Sequence, residues 1–421
     1  MPKINDYVPI VGEDTIEELK SLGEKLKGKV IQHINSTSVG GGVAEILNRM
    51  VPLMNELGVD TRWDLIKGGA RFFNITKKFH NALHGVPVEI TDDEFDFFLQ
   101  IENENAQAIN FYGDIIFNHD PQPIGLVARK KDFDKKWIWR CHIDVSQPQE
   151  NVWQFLKKFV EMYDIAVFSV PAFAKQLSIN QVLISPSIDP LSEKNKELSQ
   201  EVIDSVFEKY KIEIDKPIIT QISRYDFLKD PVGVIDAFKM VRKYVNCQLI
   251  LAGNTAADDP EHDKVFQSAK ERAADDPDIH LLVIDPSHND LEINALQRGS
   301  DIILQKSLRE GFGLTVSEAL WKKKPVIAGA VGGIPLQITH KYSGILTHTV
   351  EGTAYWLKQL LNSPEYAKLL GLNGHEHVKQ NFLLTRHLRE YFLMFLSLYH
   401  HEDIVHFKFK VLVQHLIENL L

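Results

Sequence analysis

The 421-residue chain has only two cysteines, Cys141 and Cys247, far apart in sequence. That excludes a disulfide framework and a cysteine-based metal cluster, and a reducing, cytoplasmic setting is expected. Long apolar runs are missing too. No stretch reaches the ~18 consecutive apolar residues of a membrane span. The opening Met1-Pro2-Lys3-Ile4-Asn5-Asp6-Tyr7 carries no apolar segment like that of a signal peptide. There is no repeat of solenoid length and no low-complexity tract. The fingerprint Gly-x-Gly-x-x-Gly is absent, which argues against a Rossmann oxidoreductase. Positive charge is short: 47 Lys and Arg against 57 Asp and Glu leave a net charge of −10. A nucleic-acid partner held through its phosphates is therefore not expected, nor is a membrane partner.

What is present fits a soluble globular protein, with 44% hydrophobic and 25% charged residues. The length exceeds one ordinary core, so two domains are expected. Strand-like runs alternate with helical patterns throughout, which predicts an α/β protein of doubly wound parallel sheets. Lys29 to Asn35 reads as a first strand. It enters a glycine loop, Val39-Gly40-Gly41-Gly42-Val43, and then a helix from Ile46 to Leu57. Glycines there allow a ligand close to the backbone, although a flexible turn would look the same.

Two later strands end in polar residues, Asn118-His119-Asp120 and Cys141-His142-Ile143-Asp144. The carboxyl ends of parallel strands are where such sheets bind ligands. His119, Asp120, His142 and Asp144 are therefore candidates, with strand-capping histidines as the plainer alternative. Asp132-Phe133-Asp134 forms an Asp-x-Asp, but cations surround it and no strand leads into it. It reads as a solvated charged loop, and no metal is predicted.

A break at Lys211 to Lys216 divides the chain into residues 1–213 and 214–384. The second half opens on a strand ending at Arg224, with Lys229 five residues on. Two cations on one strand-to-helix loop can clamp a diphosphate, Arg as a planar fork and Lys as a point charge. Cys247 to Asn254 is a strand running into a turn. The most distinctive stretch is Arg309-Glu310-Gly311-Phe312-Gly313-Leu314-Thr315-Val316-Ser317-Glu318. Its glycines lie at a strand-to-helix junction, where free amides and the helix dipole favour an anion. Glu310 and Glu318 could each accept bonds from a pair of sugar hydroxyls. The alternative leaves Glu310 at a loop end and Glu318 solvated.

This last stretch resembles the signature of the retaining nucleotide-sugar glycosyltransferases of the glycogen-synthase and sucrose-synthase type. The resemblance implies the GT-B fold, two Rossmann-like domains facing across a cleft, with a C-terminal segment (385–421) crossing back. It implies that Arg224 and Lys229 neutralise a leaving diphosphate, so that neither metal nor cofactor is needed. Glu310 would hold the donor sugar, Glu318 the ribose, and Gly311, Phe312, Gly313, Leu314 and Thr315 the phosphates. Asn254 would lie beside the base. Gly41, Gly42 and Val43 match the family's glycine loop near the donor. His142 would reach the donor sugar from the first domain, leaving His119, Asp120 and Asp144 on the acceptor side. Gly332-Gly333-Ile334-Pro335-Leu336-Gln337-Ile338 and Trp139-Arg140-Cys141-His142-Ile143-Asp144 resemble a narrower group, the trehalose glycosyltransferring synthases. That likeness implies a nucleoside-diphosphate glucose donor, glucose as acceptor and trehalose as product. A sucrose- or mannosyl-type acceptor, or a sensor of sugar nucleotides without turnover, fits the same residues. The apolar tail Phe407 to Leu421 suits packing on the body or on a second copy in a homodimer.

Overall fold

The computed structural model describes residues 2–38, 42–254, 260–285 and 289–400. Its strands form two six-stranded sheets. The first holds β1 (Val30–Asn35), β2 (Asp60–Leu65), β3 (Ile115–His119), β4 (Lys136–Cys141), β5 (Ile165–Phe168) and β6 (Asn180–Leu183), in the order β2-β1-β3-β4-β5-β6. The second holds β7 (Ile218–Ile222), β8 (Gln248–Asn254), β9 (Ile279–Ile284), β10 (Ile302–Gln305), β11 (Val326–Gly329) and β12 (Ile345–Thr347), in the order β12-β11-β10-β7-β8-β9. Every neighbouring pair is parallel. Helices cover both faces of a parallel sheet, so its inner strands are apolar on both sides. Ile115-Ile116-Phe117 and Ile302-Ile303-Leu304 are buried accordingly.

The spatial order of strands reverses between β1 and β3 in one sheet, and between β7 and β10 in the other. At such a reversal the outgoing loops part and leave a crevice beyond the carboxyl ends. The crevices are thus bordered by the loops after β1 and β3, and by those after β7 and β10. The two lobes touch there. A Cβ built on Gly42 would lie 3.2 Å from Leu314 Cδ1, and one on Gly311 would lie 2.7 Å from the His142 carbonyl oxygen. An apolar cluster continues across the junction, with Phe312 edge-on to Phe382 at 5.4 Å between ring centroids.

Helix Leu384–Ser397 returns to the first lobe. Leu383 bridges to Ile188, Arg386 donates to the Ser185 and Pro186 carbonyls at 2.9 Å each, and Tyr391 meets Phe117. The tail beyond residue 400, including the whole segment 404–421 left open by sequence, lies outside the described residues. No helix among the described residues is long and apolar enough to cross a membrane.

Four elements depart from expectation. The helix after β1 begins at Gly42 rather than Ile46, because burial of Ala44 extends its apolar face and outweighs the helix cost of glycine. The charged stretch after Arg129 is not all loop: a 3-10 helix runs through Ile124–Asp132, where Arg129 pairs with Asp132 at 2.6 Å, and Lys136 already belongs to β4. Helix Pro260–Ala273 and the three-residue β12 were not anticipated; β12 is too short to show a period.

Candidate active site

Lys229 ends a 3-10 turn, Phe227–Lys229, capped by Asp226, whose carboxylate accepts from the Leu228 amide at 2.8 Å. Asp230 follows and caps helix Pro231–Arg242 by accepting from the Gly233 amide at 3.0 Å. Two consecutive caps thus fix where Lys229 leaves the backbone. Gln221 ties this loop to the one after β10: it donates to the Lys229 carbonyl and accepts from the Lys306 amide, both at 2.9 Å. Lys306 in turn pairs with Asp230.

The result is a cation–carboxylate pair at the reversal point of the second sheet. Lys229 Nζ lies 2.5 Å from Glu310 Oε2. The same oxygen accepts from Ser307 Oγ at 3.1 Å and faces Gln305 Nε2 at 3.5 Å. Thr315 donates to Gln305 Oε1 at 2.9 Å, which joins the helix start to the pair. Arg224 is held more loosely: its side chain is 53% exposed, 3.6 Å from the Asp226 carboxylate.

Gly313 is the N-cap of helix Leu314–Trp321. Its first turn supplies amides without intrahelical acceptors and the positive end of the dipole. Glu318 stands one turn further in and is not solvated. It is 2% exposed, and its Oε2 has no hydrogen-bond partner among the described residues. Lys194 Nζ lies 3.9 Å from Glu318 Oε1 and 2.7 Å from Glu45. Burial pushes the Glu318 carboxyl up, and the Lys194 ammonium partly offsets this. The Lys194 ammonium is held protonated: burial opposes it, but Glu318 and Glu45 outweigh burial.

In the first lobe, Asp120 sits at φ 63° and accepts from the His142 amide at 2.7 Å. Asp144 is buried and accepts from the Ser146 amide at 2.8 Å. His119 is buried at the end of β3. It is 1% exposed and both its ring nitrogens are engaged, one with His33 at 2.9 Å and one with His142 at 3.2 Å. Gly41 and the side chain of Asn254 lie outside the described residues.

Burial pushes the Asp120 carboxyl up to about 7, against the bond from His142 and the Arg140 charge, which lower it. Between pH ~4 and ~7 the folded state therefore holds a proton that the unfolded chain, with an ordinary Asp pKa of about 3.9, has released, so this group costs stability as the pH rises. Asp120→Asn keeps an oxygen for the His142 amide and removes the titration. Urea midpoints measured across that window should fall less with pH in the variant than in the wild type; identical slopes would contradict the assignment.

Two family models match the chain: "Trehalose synthase, N-terminal domain" over residues 33–175 and "Glycosyl transferases group 1" over residues 202–377. A trehalose synthase from Pyrococcus horikoshii is 43% identical over 396 residues, 92% of this chain and 95% of that one. The chain belongs to the trehalose synthase family. A second member, from Rubrobacter xylanophilus, is 41% identical over 93% of this chain and 96% of its own. The crystal structure of an alpha,alpha-trehalose-phosphate synthase (UDP-forming) from Burkholderia xenovorans matches at TM-score 0.71 and 13% identity, covering 88% of this chain and 100% of that one. At that identity the likeness speaks for the fold: two Rossmann-like lobes in the GT-B arrangement. As a family member the protein is a glycosyltransferase.

Family resemblance did not point to two histidines that line this junction. His80 and His84 stand one turn apart near the end of helix Ala70–Leu83, with ring centroids 4.6 Å apart. The Nδ1 atoms of both are buried without partners among the described residues. Burial pushes both imidazoles down. Asp144 and Glu310 pull His84 partly back, Lys229 pushes it lower, and Arg224 adds to the lowering of His80. His84 thus feels carboxylates of both lobes. The four-residue spacing on one helix face was the available signal. Among the described residues no group of three or more His, Cys, Asp or Glu could hold a metal ion.

Proposed function

We propose that the protein is a retaining glucosyltransferase that joins the glucosyl group of a nucleoside-diphosphate glucose to glucose, giving trehalose, in a reversible reaction. The observation carrying this reading is the Lys229–Glu310 pair at the crevice of the second sheet, with Arg224 on the same loop. Cations there suit a phosphate leaving group. The names of the 41–43% identical relatives support trehalose as the product.

When donor binds, Lys229 turns from Glu310 to the diphosphate and Arg224 closes on it from solvent. Glu310 is then released to accept hydroxyls of the glucosyl ring. The amides of Gly311 to Thr315 add donors for the phosphate oxygens. As the bond between the anomeric carbon and the diphosphate oxygen breaks, these fixed groups stabilise the growing negative charge. The acceptor hydroxyl attacks from the same face, and a diphosphate oxygen takes its proton. His142 approaches the glucosyl group from the first lobe, with Asp120, Asp144 and His84 left to position the acceptor. Charge neutralisation rests on side chains, so chelators should leave the rate unchanged.

The test is release of nucleoside diphosphate from UDP-, ADP- and GDP-glucose, with and without glucose, with trehalose assayed as product. Glucose-dependent release with trehalose formed is expected. Binding without turnover would favour a sensor, and release that ignores glucose would overturn the acceptor. Glu318, with its unpartnered buried oxygen, would accept the ribose hydroxyls. Glu318→Ala should raise the donor KM about ten- to a hundredfold, the loss of a bond to a charged acceptor, with a smaller change in kcat. An unchanged KM would remove Glu318 from the nucleotide site.

A further inference from the structure

Three histidines form a hydrogen-bonded row across neighbouring strands of the first sheet. His33 lies on β1, His119 ends β3, and His142 directly follows β4. His33 Nδ1 is 2.9 Å from His119 Nε2, and His119 Nδ1 is 3.2 Å from His142 Nε2. The rings run nearly parallel, with centroids 5.2 and 5.5 Å apart and planes tilted by 26° and 24°. His33 and His119 are 0% and 1% exposed. Burial pushes all three imidazoles down, His33 to about 3, so each ring carries one proton at neutral pH.

With one proton per ring, each of the two contacts needs one N–H and one bare nitrogen. The row therefore has only two protonation patterns. In one, every proton is on Nε2, His33 Nε2–H points into the core, and His142 Nδ1 is bare. In the other, every proton is on Nδ1, His33 Nε2 is bare, and His142 shows an Nδ1–H. His33 Nε2 is sealed from solvent and has no partner among the described residues. A buried N–H without an acceptor is among the rarest defects in folded proteins, which disfavours the first pattern. At the other end, His142 Nδ1 has no partner among the described residues either, but it is not sealed. The His142 backbone is in close approach to Gly311 of the second lobe.

We infer that His33 and His119 are positioning residues that lock His142 as its Nδ1–H tautomer, so that it meets the bound sugar as a hydrogen-bond donor. This rests on the reading that the cleft holds a glucosyl donor. It adds a selection rule: the sugar atom facing His142 must be an acceptor, and the hydroxyl it belongs to must send its own proton elsewhere. The lock is set at β1, two rings away from the ligand.

The full chain labelled with 15N-histidine, read by NMR without substrate, shows which nitrogen of His142 is protonated; His142→Phe assigns the signal. Protonated Nδ1 is expected, and protonated Nε2 would overturn the inference whatever the variants do. His33→Phe removes the far end of the row. It should let His142 populate both tautomers and raise the donor KM about three- to tenfold, the range for one lost hydrogen bond, with less change in kcat. His33→Asn restores an N–H near the Nδ1 position and should restore both readings. A His33→Phe protein whose His142 tautomer and KM stay as in the wild type sinks the positioning role. If the tautomer is as expected but no nucleotide glucose supports turnover, the row stands and the proposed reaction fails.

Discussion

Lys229→Ala is expected to lower kcat by about 10²–10³, the range for removing one preorganised donor from a developing oxyanion. Charge on the leaving diphosphate grows as its bond to the sugar breaks, so the interaction is worth more in the transition state than in the ground state. The loss should therefore show in kcat and not only in KM. Without ligand, Lys229 is neutralised by Glu310. In the proposed reaction, donor binding exchanges that partner for phosphate and hands Glu310 to the sugar hydroxyls. Alanine breaks both halves of the exchange: the diphosphate loses a cation, and Glu310, with a side chain only 11% exposed, loses its counter-charge. Ser307 still bonds Glu310, so the fold should survive, which circular dichroism would check. Initial rates of nucleoside diphosphate release measure the effect. A rate within threefold of wild type would show that the leaving group is stabilised by other residues.

The parts of this site that lie close together in sequence were legible there. Arg224 and Lys229 share one loop, and Glu310, the glycines and Glu318 share one strand-to-helix junction. Polar and glycine residues at the ends of apolar runs mark such loops whatever the rest of the chain does. The alternation of apolar strands and amphipathic helices carried the fold class for the same local reason. Pairings across the sheet were hidden. Lys229 and Glu310 are 81 residues apart, His33 and His119 are 86 apart, and Lys194 and Glu45 are 149 apart. Each pairing depends on strand order, which hydrophobic periodicity does not encode. The partner of His119 was hidden because only the arrival of β1 beside β3 supplies it, and the burial of Glu318 was hidden because Lys194 reaches it from the other half.

Gly332→Ala is expected to cost stability and to lower kcat/KM by about 10²-fold, although Gly332 carries no functional group. It follows β11 at φ 56°, a left-handed conformation that costs an L residue roughly 1–2 kcal/mol. A Cβ there would also overlap the Glu310 carbonyl oxygen and lie 3.2 Å from the Gly311 carbonyl oxygen. The next amide, Gly333 N–H, donates to the Gly311 carbonyl at 2.9 Å. This turn is thus the floor on which the backbone of Glu310 and Gly311 rests, and a methyl group must lift that backbone. A displacement near 1 Å at a catalytic group is enough for about a 10²-fold loss. Gly58→Ala provides the control. Gly58 sits at φ 86° with nothing within 4 Å of its would-be Cβ, so its variant shares the backbone cost without the collision. Denaturant unfolding should show both variants destabilised, with Gly332→Ala the more so, and only Gly332→Ala should lose turnover when both are assayed well below their unfolding midpoints. Equal activity in the two would mean that the Glu310 loop is set from its own side, by Ser307 and Gln305, and not by the turn beneath it.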